Sequence, residues 1–182
     1  ERMINLWRDL PPGPQPPEQC TAIVEIPQGS RNKYELDKST GLMKLDRVLY
    51  SAVHYPGDYG FVPRTLHEDN DPLDVLLLVK EQTFSGCMVD FRPIGVLKLL
   101  DRGEPDDKIL GVPVNDPYYN DIFDIADIPR HQLREIEHFF LTYKDLEGKR
   151  MENLGWGQSV EAMRITMESI ARYDAAYLSV GP

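Results

Sequence analysis

The feature that most limits how this chain can fold is the run Leu73–Val79, apolar throughout except for Asp74. A strand with one solvated face alternates apolar and polar residues. A short continuous apolar run bounded by turns is instead the pattern of a strand covered on both faces. Leu73–Val79 therefore has to run through the interior, and Ile94–Leu100, broken only at Lys98, makes the same demand. Both runs are strand-sized and fall far short of the ~18 apolar residues of a membrane span. Around them lie further β-rich stretches: Ala22–Ile26, Asn32–Leu36, Leu42–Tyr50, Tyr59–Val62, Asp90–Leu100 and Ile109–Val114. Turn clusters such as Pro27-Gln28-Gly29-Ser30 and Ser39-Thr40-Gly41 separate them.

The carboxyl third changes period. Leu133, Ile136, Phe140 and Tyr143 recur at three or four residues, one face of a helix opening near Asp127 and Pro129 and closing before Gly148. A second helix is predicted over Ser159–Tyr177, with Val160, Met163, Met167, Ile170 and Tyr177 as its apolar face; Trp156 and the Met163/Met167 stripe are expected in the core. Short strands followed by two helices predict an α+β fold. The expected form is a small closed or curled antiparallel β-barrel, OB-like, with two main helices outside. The first 19 residues, rich in proline from Pro11 to Pro17, read as an extended arm. One domain over 1–182 is expected, with no internal repeat.

Charge narrows the function. The chain of 182 residues carries a formal net charge of −10. Binding a nucleic-acid backbone needs clustered Lys and Arg, so a nucleic-acid partner is not expected; cations are. No membrane partner is expected. Cys20 and Cys87 are too few and too far apart for a zinc cluster or a disulfide framework, and they read as reduced thiols. The amino end shows no basic stretch leading into an apolar one, and a cytoplasmic location is expected. No histidine forms an HxH or HExxH pair, and no Gly-rich nucleotide loop is visible.

The chemistry concentrates in Asp69-Asn70-Asp71-Pro72-Leu73-Asp74, three carboxylates within six residues at the entrance to the buried run. Like charges this close repel, and burying them is costly. A divalent cation relieves both penalties, and Mg²⁺ prefers carboxylate oxygens while keeping waters that phosphate can displace. An EF-hand needs Gly sixth and Glu twelfth from Asp69; Asp74 and Lys80 stand there, so that reading fails. A second acidic group, Asp101 to Asp107, follows the other apolar strand. Lys33 and Glu35 share one strand face. Pairing with neighbouring strands would bring Glu25 and Arg47 to the same barrel mouth.

These segments resemble the family I soluble inorganic pyrophosphatases of prokaryotic or plant-like type. Asp69 to Asp74 match the family's Asp-x-Asp-Pro-x-Asp box. Val24-Glu25-Ile26-Pro27, Lys33-Tyr34-Glu35-Leu36-Asp37, Asp46-Arg47, Tyr55-Pro56, Asp58-Tyr59-Gly60, Arg92-Pro93-Ile94-Gly95, His138-Phe139-Phe140 and Tyr143-Lys144-Asp145-Leu146 follow in family order. The resemblance implies Mg-dependent hydrolysis of pyrophosphate to two orthophosphates by a metal-bridged water, with three to four Mg²⁺ per site when substrate is present. It implies that Asp69, Asp74 and Asp106 hold the first metal, Asp101 and Asp106 a metal arriving with substrate, and Glu25 and Glu35 a further metal or its waters. By the same resemblance Asp71 is the general base and Tyr59 lies near the attacking water. Lys33, Arg47, Lys108, Tyr143 and Lys144 grip phosphate. A homo-oligomer is implied, a hexamer favoured, with the helix bearing His131 and His138 at an interface. Asp58 and the spacing of Gly148–Leu154 depart from the family pattern; Asp58 is expected to add charge near the site, and a phosphate contact at Lys149 is not. Two other readings fit the residues: a metal-dependent hydrolase of another phosphoanhydride, and a non-catalytic barrel that binds a metal or polyanion.

Overall fold

The computed structural model describes residues 2–178. Five strands close into a ring: β1 (Cys20–Ile26), β4 (Asp58–Phe61), β5 (Asp74–Leu77), β8 (Lys108–Pro113) and β6 (Met88–Asp101), with β6 returning to β1. This is the predicted OB-like barrel with one difference: β5 and β8 run parallel, while the other ring pairs are antiparallel. A strand edge offers unpaired N–H and C=O groups, and ring closure pairs them. The continuous apolar run explains why β5 is central. Val75, Leu76 and Leu77 are all buried, facing both the barrel interior and the layer outside it.

Outside the ring, β2 (Asn32–Leu36) and β3 (Met43–Val48) form a separate hairpin. The two-residue strand β7 (Glu104–Pro105) folds back on the end of β6. β9 (Met151–Gln158) extends the sheet along β6. Helix α1 (Arg130–Thr142) buries Ile136, Phe139 and Phe140 in an aromatic cluster with Tyr55, Tyr59 and Tyr143. Ring offsets of this kind add ~1 kcal/mol per pair beyond area burial. His131 and His138 are exposed on α1, and His131 pairs with Glu135 at 3.0 Å.

Helix α2 (Ser159–Tyr177) has the predicted limits but a different buried face. Ala162, Ile165, Thr166, Ser169 and Tyr173 are buried, whereas Val160 is 77% exposed and Met167 and Tyr177 are also exposed. The helix lies close against β6, and close approach selects small side chains over long apolar ones. Met163 and Trp156 are only half-buried. The amino-terminal segment also departs from an extended arm. It turns at residues 6–9, and Trp7, only 2% exposed, packs edge-on to Tyr173. Trp7 carries too much apolar surface to be left solvated. Cys20 and Cys87 are both free thiols. Among the described residues no helix is long and apolar enough to cross a membrane.

Candidate active site

The acidic loop is shaped by its own backbone. Thr65 Oγ1 accepts from Leu73 N–H at 2.9 Å and donates to Val62 O at 2.6 Å, fixing the loop's two ends. Asn70 sits at φ 65°, a left-handed conformation that Asn tolerates better than most residues. That turn lets both Asp69 and Asp71 face one cleft. Asp74 opens β5, Lys108 opens β8, and the two are parallel partners. Their side chains therefore lie side by side, with Lys108 Nζ 2.8 Å from Asp74 Oδ2. Arg102 and Gly103, both at positive φ, make the two-residue turn that sets Asp101 opposite Glu104.

The resulting cleft holds about 670 Å³, and every predicted site residue except Arg47 lines it. Asp69, Asp71, Asp74, Asp101 and Asp106 line it together with Glu25, Glu35 and Lys33. Lys33 Nζ is 3.6 Å from Glu35, so the shared strand face predicted for them is present. Lys144 Nζ reaches Asp101 Oδ2 at 3.3 Å. Tyr143 is buried beside it, stacked on Phe139. Arg47 pairs across the hairpin with Lys33, but its guanidinium turns to Glu147 at 2.9 Å and to Asp46. Asp58 does not join the site either. It is fully buried and accepts from Gln28 N–H, Thr83 N–H and Thr83 Oγ1, so its carboxyl joins two loops.

Burial dominates the electrostatics. It pushes the Glu25 carboxyl up to about 8, helped by Asp74 and Glu35 and opposed by the Leu36 N–H that Glu25 accepts. It pushes Asp69 up to about 6, with Asp74, Asp106 and Asp71 adding to the effect. Asp74 is raised by burial against the pull of Lys108, while Lys108 overcomes burial to hold Asp106 below the usual carboxylate range. Burial opposes the Lys108 charge, but Asp74 and Asp106 outweigh it and keep the ammonium protonated. Tyr59, whose hydroxyl is 2.9 Å from Lys108 Nζ, is held neutral by burial.

Such a lining suits a hard divalent cation. Every acidic donor is an oxygen, and Asp101 Oδ1 is buried without a hydrogen-bond partner, with Arg102 Nε 3.6 Å away. Among the described residues no three acidic, His or Cys side chains already converge as a closed cage. The Lys108 ammonium instead lies between Asp74 and Asp106. Three participants were given no role by the sequence reading. Lys38, 3.3 Å from Asp71, stands one residue beyond the recognised Lys33–Asp37 segment. Glu104 lines the cleft from the turn opposite Asp101. Glu147 gives no local signal, because only the tertiary fold brings it to Arg47.

The inorganic pyrophosphatase family model matches residues 22–174. The chain belongs to the inorganic pyrophosphatase family. It is 54% identical over 155 residues to an inorganic pyrophosphatase of Haloferax volcanii, covering 85% of this chain and 88% of that one. It is 49% identical over 170 residues to a soluble inorganic pyrophosphatase of Oryza sativa, covering 92% and 79% respectively. The crystal structure of the Thermus thermophilus inorganic pyrophosphatase superposes with a TM-score of 0.91 at 44% identity, covering 94% of this chain and 99% of that one. The barrel and its two helices are thus a family architecture.

Proposed function

We propose that this cleft binds pyrophosphate with Mg²⁺ and is where the chain's reaction takes place. That reaction follows from the family: the chain is an inorganic diphosphatase, a metal-dependent hydrolase that converts pyrophosphate to two orthophosphates. The observation that carries the assignment to this cleft is Lys108, whose buried ammonium lies within 2.9 Å of Asp74, Asp106 and Tyr59. A cation held there marks where negative charge is concentrated and water is scarce, the setting in which charge stabilisation is strongest.

Pyrophosphate is strongly anionic, and the seven proposed carboxylates outnumber Lys33, Arg47, Lys108 and Lys144, so the bare site repels it. Bound Mg²⁺, three to four ions with substrate, supplies positive charge and lowers the pKa of water, the family's role for it. Asp69, Asp74, Asp101 and Asp106 serve as its principal ligands, with Glu25 and Glu35 completing the set. The raised pKa values of Glu25, Asp69 and Asp74 favour this role, because a group costly to ionise alone gains most from a cation. Asp71 acts as the general base: its carboxylate is mostly solvated, at 68% exposure, and stands free of the Lys108 network. Tyr59 orients the attacking water by its hydroxyl. Lys33, Tyr143 and Lys144 hold the phosphates, and Arg47 joins them on leaving Glu147. Lys108 shifts from the carboxylates to substrate, where it stabilises charge on the leaving phosphate.

A cytoplasmic homo-oligomer, with a hexamer favoured, completes this reading; the exposed His131 and His138 face of α1 is open to a second copy. The deciding experiment is phosphate release from pyrophosphate, ATP and tripolyphosphate, each with EDTA and with Mg²⁺. Activity on pyrophosphate that EDTA abolishes and Mg²⁺ restores is expected. Full activity after exhaustive chelation, or preference for ATP, would overturn the reading.

A further inference from the structure

Asp69–Asp74 and Asp101–Lys108 are separate stretches whose shared ladder begins only at the Asp74–Lys108 pair. Upstream of that pair, Asp69 and Asp106 need another link to fix their separation. His67 spans the gap. Its backbone N–H donates to Asp71 O at 2.8 Å and its C=O accepts from Asn70 N–H at 3.0 Å, closing the turn that carries Asp69 and Asp71. Its imidazole Nε2 lies 3.1 Å from Asp107 Oδ2, with side-chain exposures of only 6% and 11%. Asp107 stands between Asp106 and Lys108. Side chains alternate along extended chain, so a grip on Asp107 from behind sets where both neighbours enter the cleft. Helix α2 secures the same stretch: Arg172 Nη1 donates to Leu66 O at 2.9 Å, and Leu66 N–H donates to Ser169 O at 2.9 Å. Neither His67 nor Asp107 lines the cleft.

We propose that His67, acting through Asp107, is a positioning residue that sets the spacing of the two acidic loops and thereby the affinity for divalent cation. The proposal rests on the metal-binding reading of the cleft. A histidine that merely filled space would be replaceable by any side chain of similar volume. One that positions the loops acts through its link to a buried carboxylate, and partners of this kind commonly change metal affinity by about 10- to 100-fold.

The test uses the full chain as His67→Phe, His67→Gln, Asp107→Ala and the His67→Phe/Asp107→Ala double variant. Calorimetric titration with Mg²⁺ in the absence of pyrophosphate is the first readout. The expected result is a dissociation constant raised about tenfold in each of His67→Phe and Asp107→Ala. The double variant is expected to lose no more than either single one, since one link is being cut twice. His67→Gln, whose amide N–H can still reach Asp107, is expected to recover most of the affinity. The Mg²⁺ concentration giving half-maximal activity rises in parallel, while kcat at saturating Mg²⁺ is kept. Wild-type Mg²⁺ affinity in His67→Phe, or multiplicative losses in the double variant, overturns the proposal. Should His67→Phe not fold, Asp107→Ala decides alone, and wild-type affinity in it is equally fatal. A wild-type chain that binds no Mg²⁺ overturns both this proposal and the reading beneath it. A wild-type chain that binds Mg²⁺ beside variants that bind it equally well overturns this proposal only.

Discussion

Lys108 Nζ lies 2.8 Å from Asp74 Oδ2 because β5 and β8 run parallel and begin on these two residues. One ammonium, 4% exposed, compensates two carboxylates in a site with little water. Removing one partner of a buried pair leaves uncompensated charge and commonly costs about 3–5 kcal/mol. Lys108→Met is therefore expected to lower the thermal midpoint strongly in EDTA. Mg²⁺ can replace the lost positive charge, so the loss should shrink when it is added. Melting curves of both proteins with EDTA and with Mg²⁺ check this; an equal loss in the two conditions would mean that Lys108 and the metal do not share the carboxylates.

Asp71 contrasts with that buried pair. Its carboxylate is mostly solvated, and its ion-pair partner is the part-exposed Lys38 at 3.3 Å. Exposed pairs of this sort contribute little to stability. Asp71→Asn is accordingly expected to melt like wild type and to bind Mg²⁺ nearly as well. Its kcat is expected to fall by about 10²-fold or more, the usual loss when a general base is removed. Steady-state kinetics beside Mg²⁺ calorimetry separate these effects, and wild-type turnover would remove Asp71 from the mechanism.

The pH dependence of the metal-free protein follows from two carboxyls. Asp69 is raised by burial from 3.8 to about 6, and Glu25 from 4.5 to about 8. Both hold protons more tightly folded than unfolded. Their stabilising contribution is therefore complete below about pH 4 and is lost as pH rises through about 6 and about 8. His67, raised by Asp107 against burial, acts with the same sign. The lowered Asp37, Asp46, Asp106 and Asp124 titrate in more acid solution, below this window. In EDTA the thermal midpoint should fall from about pH 5 to about pH 8.5. A divalent cation favours the ionised carboxylates, so the midpoint gain from Mg²⁺ should grow over the same range. A gain that shrinks with rising pH would contradict the burial of these groups.

Sequence pattern reveals what one element decides and hides what two elements decide together. The run at β5 and the three-to-four-residue period of α1 announce themselves, because each element carries its own apolar pattern. Strand β9 does not: Asn153, Gly155 and Gly157 give it neither alternation nor β propensity. Gly157 nevertheless suits its place, since a Cβ there would come 2.9 Å from the buried Val96 Cγ1 on the facing strand β6. The buried face of α2 was hidden for the same reason, since Ala162, Thr166 and Ser169 are chosen for size and carry little hydrophobic signal. In the site, the crowding of Asp69, Asp71 and Asp74 is a local fact that can be read directly. The turning of Arg47 toward Glu147, 100 residues away, is not. Nor is the use of Asp58 to hold Thr83, because the Tyr55–Gly60 segment does not indicate which loop will lie over it.

Trp7 links the amino-terminal segment to the acidic loop. Its indole sits edge-on to both Tyr173 and Tyr177, with centroids 5.5 Å away in each case. Its Nε1 donates to Thr65 O at 2.8 Å, and Thr65 Oγ1 in turn accepts from Leu73 N–H at the base of the acidic loop. Trp7→Ala removes a buried aromatic side chain and leaves a cavity between α2 and the barrel, a change that costs about 3–5 kcal/mol. Trp7→Phe keeps most of the volume but leaves the Thr65 carbonyl unpaired in a buried setting, worth about 1–3 kcal/mol. Chemical denaturation should therefore rank wild type above Trp7→Phe and Trp7→Phe above Trp7→Ala. If Thr65 transmits the anchoring to the loop, the folded Trp7→Phe protein also needs more Mg²⁺ for half-maximal activity at unchanged kcat. A Trp7→Ala chain as stable as wild type would show that residues 2–19 rest on the barrel without holding it.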